Sequence, residues 1–141
     1  MKDKKHIFLS LIILFFPIFI VCFTLSEFNS SPYIEIKEDM IVMKAPLCSE
    51  ERMMYEDIIE VKYIEKLDYG EKNKGIMEED IVAGWFENDE FDSYYLISHT
   101  ECDRYIVIKS HNATFVFNFN NEKETLTVYT NLKKHSKRQI I

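Results

Sequence analysis

The amino-terminal part of the chain is a continuous apolar stretch. Residues 7–25 contain no charged side chain, and only Ser10, Pro17 and Thr24 fall outside the apolar set. At about 1.5 Å of rise per residue, a helix of this length covers roughly 28 Å, which matches the hydrocarbon thickness of a bilayer. Proline is tolerated in membrane helices. The pattern therefore predicts a transmembrane helix over residues 7–25.

The charges around this helix predict its orientation. Lys2, Lys4 and Lys5 precede it, whereas Glu27 and further acidic residues follow it. Under the positive-inside rule the amino terminus stays in the cytoplasm, so the chain is expected to be a single-pass protein of the cell membrane with its carboxyl-terminal domain outside the cytoplasm. The same pattern also fits a secretory signal that is cleaved after Ser26, which would release a secreted domain. Both interpretations export the domain.

Beyond residue 26 the dominant period of the apolar residues is two, which is typical of strands with one buried face. Phe115, Phe117 and Phe119 alternate with other residues, and the β-branched and aromatic run 105–109 precedes them. Residues 110–113 between the two runs have the composition of a turn, so the pattern predicts a hairpin. Further strands are predicted at residues 33–37, 40–43, 80–86 and 93–98, and the first two of these form a second hairpin.

The middle of the chain is ambiguous. Residues 58–67 repeat their apolar side chains at intervals that fit either a strand or a helix, and we interpret them as a strand with a bulge near Ile64. Residues 68–79 are polar and contain glycine, so the sequence predicts a long loop there.

The last predicted element is a helix over residues 121–134. Asn121 is followed three residues later by Glu124, which is the spacing of a capping box. An apolar stripe follows, made of Leu126, Val128, Tyr129 and Leu132. Residues 135–141 are then a polar, basic tail, and the basic run 133–138 is expected to be solvated at the helix end rather than to contact lipid.

About seven strands followed by one helix describe a mainly β protein. The expected architecture is an N-terminal transmembrane helix in residues 1–26 and a small antiparallel barrel, capped by a C-terminal helix, in residues 27–134. The segments 83–86 (AGWF) and 105–109 (YIVIK), in this order before the helix, resemble bacterial pleckstrin-homology-like (PH-like) domains with an N-terminal membrane segment. The resemblance implies a membrane-anchored, non-enzymatic binding or scaffold domain that contacts another protein and uses no cofactor.

Charge restricts the class of partner. The formal net charge is −7, and residues 27–141 hold 14 basic against 23 acidic residues, a net charge of −9. Proteins that bind nucleic acid need a basic surface, so the composition argues against a nucleic-acid partner. It also argues against phosphoinositide binding, because Glu38 and Asp39 lie between the lysines of the first hairpin. An acidic inhibitor or immunity-type protein that captures a basic partner is an alternative function.

Few residues suggest catalysis, metal binding or a disulfide. His99 and Cys102 lie three positions apart, which leaves a thiol enzyme as a further alternative, but the sequence offers no third catalytic group and no metal-ligand spacing. Cys48 and Cys102 could form a disulfide in an exported domain, or remain free thiols. Trp85 follows Gly84, and a glycine within a strand commonly marks a close approach of two backbones, so we expect Trp85 to pack in the core.

Overall fold

The structure is a computed structural model that describes residues 2–28 and 30–138, and the chain divides into two compact units, Met1–Ser30 and Ser31–Ile141. The first unit holds helix α1 (Lys2–Phe28). Within the described residues, no helix meets the combined length and apolar character needed to cross a membrane. The transmembrane helix over residues 7–25 stays a prediction from the sequence.

The second unit begins with a three-stranded antiparallel sheet of β1 (Tyr33–Ile36), β2 (Met40–Lys44) and β3 (Glu50–Met54), in that order. The hairpin of β1 and β2 confirms the prediction, and the Lys37 amide donates to the Met40 carbonyl across its turn at 2.9 Å. Strand β3 was not predicted, because its sequence EERMM lacks alternating apolar residues and only Met53 is buried.

A six-stranded sheet follows, in the order β4-β8-β9-β7-β6-β5. Its strands are β4 (Ile58–Glu65), β5 (Glu71–Met77), β6 (Ile81–Asn88), β7 (Asp92–His99), β8 (Arg104–Ser110) and β9 (Thr114–Phe117). The predicted hairpin of β8 and β9 is present, but β9 lies beside β7 and runs parallel to it. The expectation of a wholly antiparallel arrangement is therefore wrong for this one pair.

Two predictions for the middle of the chain are also corrected. The expected loop over residues 68–79 contains β5, an edge strand whose Glu71, Lys72, Asn73 and Lys74 are all exposed. Charged side chains on an edge strand discourage pairing with other chains, and they give the segment the composition of a loop. The bulge in β4 lies between Ile58 and Glu60 rather than near Ile64, because the register with β8 shifts there.

Strands β5 and β6 approach each other closely at a pair of glycines. Gly75 and Gly84 are directly opposite, with φ of 116° and 139°. A Cβ atom on Gly84 would lie 2.0 Å from the Lys74 carbonyl oxygen, so only glycine fits. Trp85 is partly buried against the core, with its ring edge-on to Tyr95 at 5.1 Å, as the sequence predicted.

Helix α2 (Glu122–Arg138) packs over the main core, which lies between the two sheets and the helix. The side-chain cap at Asn121 is confirmed, since the Glu124 amide donates to Asn121 Oδ1 at 2.9 Å, and the Glu124 carboxylate accepts from Asn121 Nδ2 at 3.4 Å. The helix continues four residues past its predicted end at residue 134. Leu132 is buried, but Leu126 is 45% exposed, so the predicted apolar stripe is wrong at that position.

Candidate functional site

A concave surface of the second unit lies between the end of β1 and α2. We call it the β1–α2 groove. It has a volume of about 450 Å³ and is lined by Ile36, Lys37, Glu38, Tyr55, Val128, Asn131, Leu132 and His135. Half of these side chains are apolar and the others are polar or charged, a mixture typical of sites that bind by burial and orient by hydrogen bonds.

Tyr55 fixes the end of the groove nearest the first hairpin. It begins a short 3₁₀ helix, Tyr55–Asp57, directly after β3. Its amide donates to the Asp39 carbonyl at 2.9 Å, and its hydroxyl donates to the Lys37 carbonyl at 2.8 Å. Burial raises the pKa of Tyr55, so its hydroxyl is neutral and holds this hydrogen bond at ordinary pH. The His135 ring stacks on the Tyr55 ring with 5.4 Å between centroids.

The other wall is one face of α2. Val128, Asn131, Leu132 and His135 lie at spacings of three and four residues, which places them on the same side of a helix. Leu132 is 2% exposed and anchors this face in the core, whereas Asn131 and His135 are exposed at the rim. The helix therefore presents an apolar base with two groups that can form hydrogen bonds above it.

Strand β1 supplies the third side, and it is an edge strand. Because Lys37 and Met40 form a hydrogen-bonded pair, alternation along the ladder makes Tyr33 and Glu35 the residues that bond to β2. The amide and carbonyl groups of Ile34 and Ile36 then point away from β2. The free backbone edge and the groove are adjacent, because Ile36 belongs to both.

The structure does not join His99 and Cys102 as a catalytic pair. The Cys102 thiol lies 3.7 Å from the Arg104 carbonyl oxygen and 3.9 Å from Thr125 Oγ1. In the described part of the chain, no hydrogen bond links this thiol to the His99 imidazole. Burial lowers the pKa of His99, which favours its neutral form.

Cys48 and Cys102 are both buried, and in the structure both are free thiols. Burial raises the pKa of the Cys48 thiol, which keeps it protonated and poorly nucleophilic. Among the described residues, no group of three or more His, Cys, Asp or Glu side chains could hold a metal ion.

The β1–α2 groove was not predicted from the sequence. Tyr55 follows an unpredicted strand, and Asn131 and His135 interrupt the apolar pattern of the helix. Their spacing with Val128 and Leu132 is the signal that could have identified the wall. Comparisons of this chain with protein-family models, with curated proteins and with solved structures give no match.

Proposed function

We propose that this protein is a membrane-anchored, non-enzymatic PH-like binding or scaffold domain that acts through protein–protein contacts, and that its contact surface is the β1–α2 groove. The observation that carries the proposal is the apolar base of Ile36, Tyr55, Val128 and Leu132 beside the edge strand β1, which pairs only with β2 among the described residues. Strand edges and apolar grooves are two recurring features by which domains bind peptide segments.

Membrane anchorage is the second element of the proposal. Helix α1 carries large exposed apolar side chains, among them Ile13 at 66%, Phe16 at 61% and Phe19 at 68%. An apolar surface of this extent favours an apolar environment over water. With Lys2, Lys4 and Lys5 on the cytoplasmic side, the domain then faces outward.

The charge of residues 27–141 supports a protein as the partner. At −9, this part of the chain repels nucleic acid and the anionic surface of a membrane. The same charge favours the second candidate function, an acidic inhibitor that captures one basic protein. That candidate requires association that slows strongly as salt is added and that does not depend on the groove residues.

In-cell photo-crosslinking tests the proposed function. A photoreactive residue is placed at Ile36 or Asn131 in the groove, or at Ile59 or Leu126, which are exposed apolar positions outside its lining. We expect the same partner to be captured from positions 36 and 131 and not from positions 59 and 126. Equal capture from all four positions, or capture only outside the groove, would contradict the proposal.

A further inference from the structure

We infer that the β1–α2 groove binds an extended segment of the partner protein that adds to β1 as an antiparallel strand and alternates apolar with basic residues. This inference rests on the proposed function and names the chemistry of the partner. It combines two observations, the outward-pointing backbone of β1 and the pocket beside it. Each restricts the ligand in a different way.

The backbone restricts the shape of the ligand. Among the described residues β1 pairs only with β2, and the amide and carbonyl groups of Ile34 and Ile36 point outward. A strand that hydrogen-bonds to these two residues satisfies both donors and both acceptors at once. A bound helix keeps its own amides internally bonded and leaves this edge unsatisfied.

The side chains restrict the spacing of apolar residues. Ile34 and Ile36 share one face of β1, and Ile34 packs against the main core while Ile36 lines the groove. In an antiparallel pair, directly opposite residues point to the same face. The two ligand residues opposite Ile34 and Ile36 therefore point toward Tyr55, Val128 and Leu132. These ligand residues are two positions apart, and burial favours valine, isoleucine or leucine there.

Charge restricts the residue between them. That residue lies opposite Glu35, whose side chain is 57% exposed and already accepts an ion pair from Lys37 at 3.3 Å. A lysine or arginine there can share the Glu35 carboxylate, and opposite charges directly across two strands are favourable. The charge of −9 in residues 27–141 attracts such a segment from a distance.

A second copy of this chain does not fit this site as its occupant. If two β1 strands paired antiparallel in this register, Tyr-Ile-Glu-Ile of one copy would lie against Tyr-Ile-Glu-Ile of the other. Glu35 of one copy would then occupy the position where the site favours a basic residue, and like charges across strands are destabilising.

The test uses the full chain in a nonionic detergent and a fluorescent, end-blocked peptide of about ten residues that alternates valine and lysine. We expect saturable binding by fluorescence anisotropy and slowed hydrogen exchange at the amides of Ile34 and Ile36. A peptide of the same composition with its valines and lysines in separate blocks has the same charge but no alternation. It should bind at least about tenfold more weakly.

Two further comparisons, one between modified peptides and one between protein variants, distinguish strand addition from charge attraction. N-methylation of the valines of the peptide removes the amides that face β1 and should abolish binding, whereas N-methylation of the lysines removes only outward amides and should leave it intact. Ile36→Lys should weaken binding at least about tenfold, and Ile59→Lys, at an exposed isoleucine outside the groove, should not.

Equal binding of the alternating and block peptides, or protection confined to residues outside β1, would overturn the inference. The absence of any peptide binding would also overturn it. If photo-crosslinks from positions 36 and 131 persist in that case, the groove still contacts a partner and only the strand-addition mode fails. If the crosslinks are absent too, the proposed function fails with it.

Discussion

Gly84→Ala adds one methyl group at the closest approach of two strands, and we expect it to be strongly destabilising. Gly84 has φ of 139°, a region that side-chain-bearing residues rarely adopt. The added Cβ would lie 2.0 Å from the Lys74 carbonyl oxygen and 2.7 Å from the Gly75 Cα atom. Both neighbours are backbone atoms, so no side-chain rotation can relieve the contact.

The expected magnitude has two parts. Holding a residue with a Cβ in this backbone region costs about 1–3 kcal/mol. Relief of the contact requires β5 and β6 to separate locally, and each backbone hydrogen bond weakened there contributes about 1 kcal/mol. The free energy of unfolding should therefore fall by about 3–5 kcal/mol, a large part of the 5–15 kcal/mol typical of a domain.

Urea unfolding of the full chain in nonionic detergent, followed by far-ultraviolet circular dichroism, measures this loss. Ser93→Ala is the matched control, because Ser93 is an exposed strand residue on the neighbouring β7. It should change stability by less than about 0.5 kcal/mol. Gly75→Ala combined with Gly84→Ala should be less harmful than the two single losses together, since the strands separate only once. A loss below about 1 kcal/mol for Gly84→Ala would refute the reasoning.

Four other outcomes are expected. Asn118→Ala should lower the free energy of unfolding by about 2–4 kcal/mol, because the fully buried Asn118 side chain bonds to the His99 amide, the His99 carbonyl and the Cys102 carbonyl. Asn112→Ala, at an exposed position, should hardly change it, and equal urea midpoints for the two variants would contradict this. Burial raises the pKa of Tyr94, Tyr95 and Tyr105, so their neutral hydroxyls contribute fully to the free energy of unfolding below the ordinary tyrosine pKa of 10.0, and this contribution falls as pH rises above it. A urea midpoint that is unchanged at about pH 11 would count against this. A reporter that works only outside the cytoplasm, fused after Ile141, should be active, and activity of a cytoplasmic reporter instead would reverse the topology. Residues 27–141 alone should not sediment with anionic liposomes at low salt, and sedimentation would show attraction where the charge of −9 predicts repulsion.

The sequence predicted those elements whose signals are local. Alternation of apolar residues located β7, β8 and β9, and the Asn121–Glu124 spacing located the start of α2. In each case burial of one face or a side-chain bond to a nearby amide leaves a pattern within a few residues of sequence.

The elements that the sequence did not predict depend on distant partners. Strand β3 is held by its pairing with β2, and β5 by the glycine contact with β6, so neither needs an apolar period of its own. The parallel pairing of β7 and β9 likewise depends on tertiary structure, because either strand of the β8–β9 hairpin could lie beside β7 and the local pattern does not distinguish them. The groove forms where β1, the 3₁₀ helix and α2 come together. These elements are distant in sequence, so no local sequence pattern predicts the groove.

We propose above that β1 is a binding edge that another protein fills. Hydrogen exchange of residues 33–36 in the full chain, compared between native membranes and purified protein in detergent, tests this most directly. If a partner strand pairs with β1, the amides of Ile34 and Ile36 should exchange much more slowly in native membranes, while the exposed edge strand β5 should exchange alike in both. Equal exchange of residues 33–36 in the two preparations would contradict the claim.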